Sequence, residues 1–263
     1  MTLGWWQGIV LGLVQGLTEF LPISSSGHLV LAERFVGYQP PGVFFEVMVH
    51  LATLLSVVIA YRRRISEVAL GLFRGQSAAW AYLGLLLVAS MPAAVAGILL
   101  RDFFERTFHS AVDLGWQFLL TALLLWSTKW AADRAKQSTI TVGRAFLIGI
   151  GQAVAIVPAI SRSGATIAAA LWTGIAPAPA AEFSFLMSII VIAGTGLLEI
   201  RHVPAGITVN AGLIAAFVAA LISGVAAIRL LVALLRSSRF HLFAPYCAVV
   251  GIFCLVWFGI LGR

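Results

Sequence analysis

Two interruptions of apolar sequence decide the fold: LPISSSGH at residues 21–28 and VPAISRSG at residues 157–164. Proline removes a backbone donor and disfavours helix in the residue before it, so Pro22 and Pro158 are each expected to end a half-helix. Serine is a favoured N-cap and suits the start of the half-helix that follows. Backbone opened within a membrane is tolerated where it is buried in protein or lines a wet cavity. We therefore predict two re-entrant helical hairpins whose interruptions face each other or a pocket.

The remainder of the chain has the composition of a multi-spanning membrane protein. Of its 263 residues, 61% are hydrophobic and only 10% are charged, whereas a soluble domain carries roughly 25% charged residues. A bilayer core of about 30 Å needs about 20 apolar residues as helix. Besides the interrupted stretches 3–36 and 144–176, six runs are suited to cross it: 43–61, 78–100, 114–130, 183–200, 207–228 and 241–261. We predict an all-α polytopic membrane protein with six full spans, forming one membrane domain of residues 1–263.

The charges of the chain predict its orientation. Seventeen Lys and Arg against ten Asp and Glu give a formal net charge of +7. Because these basic residues lie between apolar runs, we interpret them as an orientation signal and exclude nucleic-acid binding. With the N-terminus outside, the inside loops carry eleven of them: Arg62, Arg63, Arg64, Arg74, Lys129, Arg134, Lys136, Arg144, Arg229, Arg236 and Arg239. The outside segments carry five: Arg34, Arg101, Arg106, Arg201 and Arg263. This asymmetry predicts that both termini lie outside.

The two halves of the chain, approximately residues 1–136 and 137–263, repeat each other. A shift of 137 residues aligns six identical pairs: Gly12 with Gly149, Gln15 with Gln152, Ile23 with Ile160, Ser24 with Ser161, Ser26 with Ser163 and Gly27 with Gly164. Each half holds one hairpin and three spans, an odd number, so the second half is inserted upside down. We predict an inverted-topology repeat whose interruptions form a binding site near the midplane. Chance matches in Gly- and Ser-rich membrane sequence are the alternative.

The interruptions also carry the side chains for anion chemistry. The first offers hydroxyls, a small residue and an imidazole: Ser24, Ser25, Ser26, Gly27 and His28. The second repeats the design with a guanidinium: Ser161, Arg162, Ser163, Gly164 and Thr166. A guanidinium fork matches phosphate oxygens, and unpaired amides at a helix N-terminus bind anions. The two interruptions together predict a phosphate site, the alternative being that the serines act only as caps and the histidine only as a hydrogen-bond partner.

Polar residues outside the interruptions are expected to support this site. Gln15 and Glu19 lie four residues apart on the helix before Pro22, where they are predicted to hold a cation or, alternatively, to make a helix-to-helix hydrogen bond. Glu46 and Glu182 lie early in later spans and align under a shift of 136 residues. We predict that both glutamates hold the loops in position without contacting the substrate themselves. Glycines recur every fourth residue on the first helix and predict a close-packing face: Gly4, Gly8, Gly12 and Gly16.

These motifs resemble those of a known family. QGLTEFLPISSSGH at residues 15–28 and PAISRSGAT at residues 158–166 are similar to the two signature motifs of the bacterial undecaprenyl-diphosphate phosphatases of the bacitracin-resistance type. Residues 45–47 and 182–186 also resemble stretches of that family. The resemblance implies inverted repeats, an active site open to the periplasmic or outer face of the inner membrane, and dependence on Mg²⁺ or Ca²⁺. It also implies removal of the terminal phosphate from the C55 lipid diphosphate, which returns the carrier to cell-wall synthesis.

The resemblance assigns roles by position. It implies that Glu19 is the acidic residue of the first motif and that Ser25 and His28 are its hydroxyl and imidazole. It further implies a phosphate clamp: Arg162 with Ser161, Ser163 and Thr166. Gln15 stands where the family often has Glu, and Ala159 where it usually has Gly. A Gln ligates a cation through its carbonyl oxygen but brings no charge.

The expected reaction is phosphoryl transfer from a lipid diphosphate. Ser25 or His28 attacks the terminal phosphorus, or His28 activates a water. Arg162, the hairpin amides and a divalent cation near Glu19 stabilise the charge, and the lipid phosphate leaves. The expected partners are the polyprenyl diphosphate, membrane lipid and a second copy of the chain in a homodimer. The alternative is a lipid flippase or anion transporter, because inverted repeats with broken helices are also a transporter design.

Overall fold

The computed structural model describes residues 3–40, 43–100, 111–199 and 209–260. Regular structure in these ranges is helical, apart from one isolated bridge between Gln137 and Ile175. The predicted all-α class is therefore confirmed. Four of the basic residues that we assigned to outside segments lie outside the described ranges: Arg101, Arg106, Arg201 and Arg263.

The helices of the first half are α1 (Trp5–Phe20), α2 (Ser25–Val36), α3 (Phe44–Ala60), α4 (Arg62–Phe73), α5 (Ser77–Leu99) and α6 (Ala111–Ala132). Those of the second half are α7 (Val142–Val154), α8 (Arg162–Trp172), α9 (Pro177–Glu199), α10 (Ala211–Arg236) and α11 (Phe243–Cys254). A short 3₁₀ turn precedes α11, and a π-helical segment, Leu255–Ile260, follows it.

Four helical segments are long and apolar enough to cross a membrane: α5, α9, α10 and the segment Phe240–Gly259 around α11. They coincide with four of the six predicted spans. A fifth, predicted at 43–61, forms α3, which is bent by 80° from α4 and passes the same criterion only together with it. The sixth, predicted at 114–130, forms α6, a less apolar helix of 22 residues. The described residues thus contain four or five candidate spans, and the number six stays a prediction.

Both predicted interruptions separate a pair of short helices. α1 ends at Phe20, two residues before Pro22, and α7 ends at Val154, four residues before Pro158. The next helix is capped in each case by the first serine of the motif: the Ser24 hydroxyl accepts from the Gly27 amide, and the Ser161 hydroxyl from the Gly164 amide. With 11 to 16 residues each, these helices are about 17–24 Å long, shorter than a bilayer core of about 30 Å. α1 packs on α2 and α7 on α8, so each interruption is the turn of a helical pair.

Glycines let the first helix of each pair, α1 and α7, pack closely on a long helix of the other half. α1 lies along α10, and a Cβ atom added at Gly12 would stand 2.2 Å from the Ala216 carbonyl oxygen. α7 lies along α5, and a Cβ added at Gly149 would stand 2.4 Å from the Ala89 carbonyl oxygen. Gly12 and Gly149 are the pair that the repeat aligns. The two halves therefore interlock through equivalent small residues.

Substitution of Gly12 tests this packing. Gly12→Ala is expected to destabilise the protein by about 1–3 kcal/mol, because the new methyl group must push α1 away from α10. Gly84→Ala is the matched control: its Cβ meets nothing within 4 Å on α5, and better helix propensity stabilises it by up to about 1 kcal/mol. The measurement is the apparent melting temperature of both variants in detergent. Equal stability of the two variants would contradict close contact at Gly12.

Candidate functional site

The two interruptions pack against each other. The Ser163 hydroxyl donates to the Leu21 carbonyl oxygen at 3.4 Å, and a Cβ added at Gly164 would stand 3.3 Å from the Cβ of Pro22. Reciprocally, a Cβ added at Gly27 would stand 3.0 Å from that of Ala159. These contacts bring the starts of α2 and α8 together, as the repeat predicts.

A second set of contacts fixes the turn before α8. Thr121 of α6 donates from its hydroxyl to the Ala159 carbonyl oxygen at 2.8 Å and accepts from the Ser161 amide at 3.3 Å. Ala159 has φ +49°, in the left-handed region that favours glycine. The family resemblance places Gly at this position, and the backbone conformation explains that preference. Ala159 is fully buried, and its methyl group lies beside Gly27 and packs in one cluster with Phe118.

An ion pair joins the two interruptions. Glu19, in the last turn of α1, accepts at Oε1 from Nη2 of Arg162, the first residue of α8, at 2.5 Å. The Glu19 side chain is only 5% exposed and that of Arg162 is 20% exposed. A carboxylate buried in an apolar bundle is costly unless it is paired and hydrogen-bonded. Arg162 supplies the partner charge. The ion pair between Glu19 and Arg162 therefore joins the two motifs, as predicted.

The other carboxylate oxygen of Glu19 collects three neighbours. The Ser25 hydroxyl donates to Oε2 at 2.5 Å, and the Gln15 amide donates to it at 3.0 Å. Nε2 of His50 lies 3.7 Å from the same oxygen. The Nδ1 of His50 bonds to the Glu46 carbonyl oxygen at 2.8 Å, and because a carbonyl only accepts, Nδ1 carries a proton. A neutral His50 therefore presents an unprotonated Nε2 near Glu19.

An open cavity of about 190 Å³ lies over this cluster. Its polar lining comes from both interruptions and from α3 and α9: Thr18, Glu19, Ser24, Ser25, Ser26, His50, Ser161, Arg162 and Thr195. The volume is on the scale of a phosphate group with its first waters. Arg162 has five N–H donors, and one of them engages Glu19, so the guanidinium has donors left for an anion. The cavity thus combines a hydroxyl, a carboxylate, a guanidinium and an imidazole.

Two helix N-termini add positive electrostatic potential at this cavity. Ser25 is the first residue of α2 and Arg162 the first of α8, and both line the cavity. The first amides of a helix have no intrahelical acceptor, and the helix dipole favours negative charge at this end. The backbone at Ser24 has φ +69°, an uncommon conformation for a residue with a side chain. Strain of this kind is typical of functional loops.

His28 is not among the residues that line this cavity. Its Nδ1 bonds to the Ser24 carbonyl oxygen at 2.7 Å and its Nε2 to the Tyr246 hydroxyl at 2.8 Å. The ring also stacks on Tyr246 and meets Phe118 edge-on. Both nitrogens are therefore engaged by protein groups. The imidazole beside Glu19 is that of His50, and His28 is placed to hold the strained Ser24 backbone.

The predicted phosphate ligands divide into two groups. Ser24, Ser26 and Ser161 line the cavity with Arg162. Four others pack between the helices instead: Gly27, Ser163, Gly164 and Thr166. Thr166 is fully buried and bonds through its hydroxyl to that of Ser184 at 2.6 Å, which ties α8 to α9. Residues of the same motif thus face in different directions because α8 turns about 100° per residue.

The two glutamates predicted to support the site are not brought together. Glu46 is hydrogen-bonded to His50 through its backbone carbonyl oxygen, and its side chain does not line the cavity. Glu182 lies near the start of α9 and pairs with Arg64 at 2.9 Å. The residue of α9 that lines the cavity, Thr195, is thirteen positions further along, about 20 Å at 1.5 Å per residue. The predicted inverted repeat would place equivalent residues at opposite ends of the bundle, and this separation is consistent with it.

Three polar lining residues were not assigned to the site from the sequence: His50, Thr18 and Thr195. His50 had a usable signal, because it is an ionisable residue within an apolar run, which marks a functional candidate by default. The shift of 136 residues that aligns Glu46 with Glu182 places His50 on Leu186, so the repeat marks the glutamates and not the histidine. Thr18 and Thr195 had no signal, since threonines are common in membrane helices as hydrogen-bond partners of the backbone.

Among the described residues, no divalent-cation site is preformed at the cavity. The one carboxylate that lines the cavity, Glu19, is engaged by Arg162 on one oxygen and by Ser25 and Gln15 on the other. Gln15 turns its amide N–H toward Glu19, and its buried carbonyl oxygen has no hydrogen-bond partner. Within the described ranges no cluster of three His, Cys, Asp or Glu is suited to hold a metal ion. Joint ligation by Glu19 and Gln15 therefore needs a rearranged amide.

Comparison with known proteins gives one consistent result. The family model described as "Bacitracin resistance protein BacA" matches residues 8–253. The undecaprenyl-diphosphatase of Desulforapulum autotrophicum is 38% identical over 95% of this chain and 97% of its own length. Those of Syntrophotalea carbinolica and Desulfosudis oleivorans are 39% and 40% identical, each over 93% of this chain and 95% of its own length. The similarity therefore covers both interruptions and nearly the whole chain.

A double-mutant cycle tests the buried ion pair. Arg162→Gln is expected to destabilise the protein by about 3–5 kcal/mol, because it leaves Glu19 as an uncompensated buried charge. The double variant Glu19→Gln/Arg162→Gln is expected to be more stable than Arg162→Gln alone, since it carries no unpaired charge. Thermal unfolding in detergent measures both effects, with the exposed Arg134→Gln as control. If the single and double variants unfolded together, Glu19 would not depend on Arg162.

Proposed function

The chain belongs to the family of the bacitracin resistance protein BacA, and from this premise we propose that it is an integral membrane undecaprenyl-diphosphatase. It hydrolyses undecaprenyl diphosphate to undecaprenyl phosphate and inorganic phosphate, which recycles the carrier for cell-wall synthesis. The names of the relatives support the activity. A flippase or anion transporter is not favoured, because these relatives are named as diphosphatases and not as transporters.

One observation carries the proposal. A single buried carboxylate, Glu19, contacts both the hydroxyl of Ser25 and the guanidinium of Arg162. A hydroxyl beside a base and a phosphate-binding group beside both are the parts that phosphoryl transfer to serine requires. Their position at two helix N-termini adds fixed positive potential where the phosphate charge is held. We therefore assign Ser25 in preference to His28 as the nucleophile.

In the first step Ser25 takes the terminal phosphoryl group. Arg162 and the first amides of α2 and α8 hold the phosphate oxygens, with the hydroxyls of Ser24, Ser26 and Ser161. Ser25 Oγ forms a bond to the terminal phosphorus while its proton passes to Glu19 Oε2. The bond from phosphorus to the bridging oxygen breaks, and its electron pair leaves with the lipid phosphate. The apolar tail stays among the spans.

In the second step water releases the phosphate. His50 Nε2 accepts a proton from a water that attacks the phosphorus on Ser25. The bond from phosphorus to Ser25 Oγ breaks, and Glu19 returns its proton to Oγ. His50 then gives its proton to solvent. The sum is one diphosphate and one water converted to lipid phosphate, inorganic phosphate and a proton.

Dependence on Mg²⁺ or Ca²⁺ stays a prediction. Mg²⁺ is often bound by one or two carboxylates together with substrate phosphates, and Glu19 is the carboxylate that lines the cavity. Glu19 and, after an amide rotation, Gln15 are the residues we propose for such contacts. No step above depends on the cation.

The proposal includes an inverted repeat with six spans and two re-entrant hairpins, with both termini outside. Two cross-packings support it: α1 of the first half lies on α10 of the second, and α7 of the second lies on α5 of the first. The distribution of basic residues supports a periplasmic or outer active site in the bacterial inner membrane. His50 and Thr195 lie in the halves of α3 and α9 that this orientation directs outward. Assembly as a homodimer stays a prediction.

Release of inorganic phosphate from the C55 diphosphate in detergent tests the activity. Ser25→Ala is expected to lower kcat/KM by at least about 1,000-fold, because it removes the attacking oxygen. Ser90→Ala is the control, since that hydroxyl bonds to Leu86 on its own helix α5 and lies outside the cavity lining. After rapid acid quenching, the native chain is expected to carry a phosphoryl group on Ser25. Full activity of Ser25→Ala would refute the assignment of the nucleophile.

Substitution of His50 separates the two steps. His50→Ala is expected to lower kcat by about 100-fold, the usual scale for loss of a general base, and to increase the trapped phosphoserine. His241→Ala is the control, because His241 contacts Trp126 and is not part of the cavity lining. The trapped fraction is measured by mass spectrometry of the peptide containing Ser25. A slower variant without accumulated phosphoserine would show that His50 does not act in the second step.

A further inference from the structure

A second, larger cavity lies at the other end of the bundle. It has a volume of about 680 Å³ and is formed by α4, α5, α9, α10, the loop before α7 and Tyr61, which lies between α3 and α4. Tyr61 is eleven positions after His50 of α3, which corresponds to about 16 Å along a helix. The two cavities share no lining residue. Nothing in the proposed phosphatase mechanism uses this space.

We propose that this second cavity binds the phosphate-bearing headgroup of a membrane lipid. Two guanidiniums, of Arg64 and Arg236, and one carboxylate, of Glu182, belong to the lining, which therefore has a formal positive charge. Arg64 also pairs with Glu67, which lies outside the lining, so the positive charge open to a ligand is that of Arg236. The remaining polar lining supplies neutral donors: Tyr61, Tyr82, Ser138 and Thr139. A phosphate bears several acceptor oxygens and negative charge, which this set complements.

Arg64 is held in place before any ligand arrives. Its Nε donates to Glu182 at 2.9 Å, and its guanidinium lies 4.9 Å from the centre of the Tyr82 ring. Such a cation–π contact fixes the plane of the fork. Arg236 is exposed at the end of α10, and no ion pair of it is found among the described residues. One arginine is therefore positioned and the other has its charge available.

The apolar part of the cavity suits an acyl or prenyl tail. Seven lining residues are small or aliphatic: Ala78, Ala81, Leu85, Ile140, Ala178, Pro179 and Val232. The loop that contributes Ile140 is fastened next to Gln137, whose amide donates to the Gly174 carbonyl at 2.9 Å and whose carbonyl accepts from Ala176 at 2.8 Å. Two backbone hydrogen bonds therefore hold this wall of the cavity in place. A free inorganic anion would gain nothing from contact with the apolar surface, whereas a lipid tail would.

The neighbouring helix α4 places the cavity at headgroup depth. α4 is bent by 80° from α3, so it runs along the membrane surface if α3 crosses it. It begins with three arginines, and Leu70 and Phe73 on it are 53% and 90% exposed. A helix with basic residues and exposed apolar residues is typical of the interface with an anionic membrane. The mouth of the cavity then opens among lipid headgroups.

Lipid retention by the full chain tests the proposal. The chain, purified in detergent, is mixed with phosphatidylglycerol, with diacylglycerol of the same acyl chains, with a polyprenyl monophosphate or with inorganic phosphate, and bound molecules are counted by native mass spectrometry. Phosphate-bearing lipids are expected to be retained and diacylglycerol lost. Tighter retention of the polyprenyl monophosphate identifies the reaction product as the ligand, and tighter retention of phosphatidylglycerol identifies bulk membrane lipid. Equal retention of diacylglycerol, or displacement by an equal concentration of inorganic phosphate, would overturn the proposal.

Two variants with a matched control locate the binding. Arg236→Gln is expected to weaken phosphatidylglycerol binding at least about tenfold, the scale of one charge-assisted hydrogen bond. Arg229→Gln, an exposed arginine on the same helix outside the cavity lining, is expected to change it by less than about threefold. Ala81→Phe narrows the cavity without altering charge and is also expected to weaken binding. Equal losses in Arg236→Gln and Arg229→Gln would show general surface attraction instead.

The phosphatase assay shows whether the variants are folded, so that a loss of lipid binding can be distinguished from misfolding. Arg236→Gln, Arg229→Gln and Ala81→Phe all lie away from the active site, so release of phosphate from a short-chain diphosphate is expected to stay near the native rate. A loss of lipid binding with retained activity supports the second cavity. Unchanged lipid binding in both Arg236→Gln and Ala81→Phe would refute it, whatever the activity of the chain.

Discussion

The molecule depends on one buried pair of opposite charges. Glu19 is buried, and a buried carboxylate is stable only with a partner, which Arg162 provides from the other half of the chain. Because the partners lie next to opposite interruptions, the ion pair also brings two helix N-termini to one point. A pair of this kind adds little net stability compared with apolar packing, but removal of either member is costly. Its main effect is to define where the two halves meet.

The ion pair occupies only part of the hydrogen-bonding capacity of each partner. Glu19 has a second oxygen, which the Ser25 hydroxyl and the Gln15 amide approach. Arg162 retains donors toward the cavity. The rest of the fold holds these side chains in position: glycines let α1 and α7 pack closely on long helices, and Thr121 fixes the turn before α8. Chemistry and packing are therefore coupled at the two interruptions.

Sequence reasoning located the interruptions because Pro, Ser and Gly have strong local preferences for helix ends, and it located Glu19 and Arg162 because charges in apolar runs are conspicuous. It failed where direction mattered. Whether His28 or His50 faces the cavity depends on helix rotation and on which neighbours satisfy each ring, and Tyr246, 218 positions away, is invisible to any local pattern. The separation of Glu182 from the site was implied by the prediction of an inverted repeat, since inversion would send equivalent residues to opposite ends.

The most direct test of the central claim is a cross-link between the interruptions. The Cβ positions of Pro22 and Gly164 are 3.3 Å apart, close to the roughly 3.5–4.5 Å of a disulfide. In a chain with Cys247 and Cys254 replaced by Ala, the pair Pro22→Cys/Gly164→Cys is expected to form a disulfide under mild oxidation, seen as a linked peptide by mass spectrometry. The pair Gly84→Cys/Gly164→Cys is expected to form none. Absence of the first link, or equal yields of both, would contradict a single site built from the two interruptions.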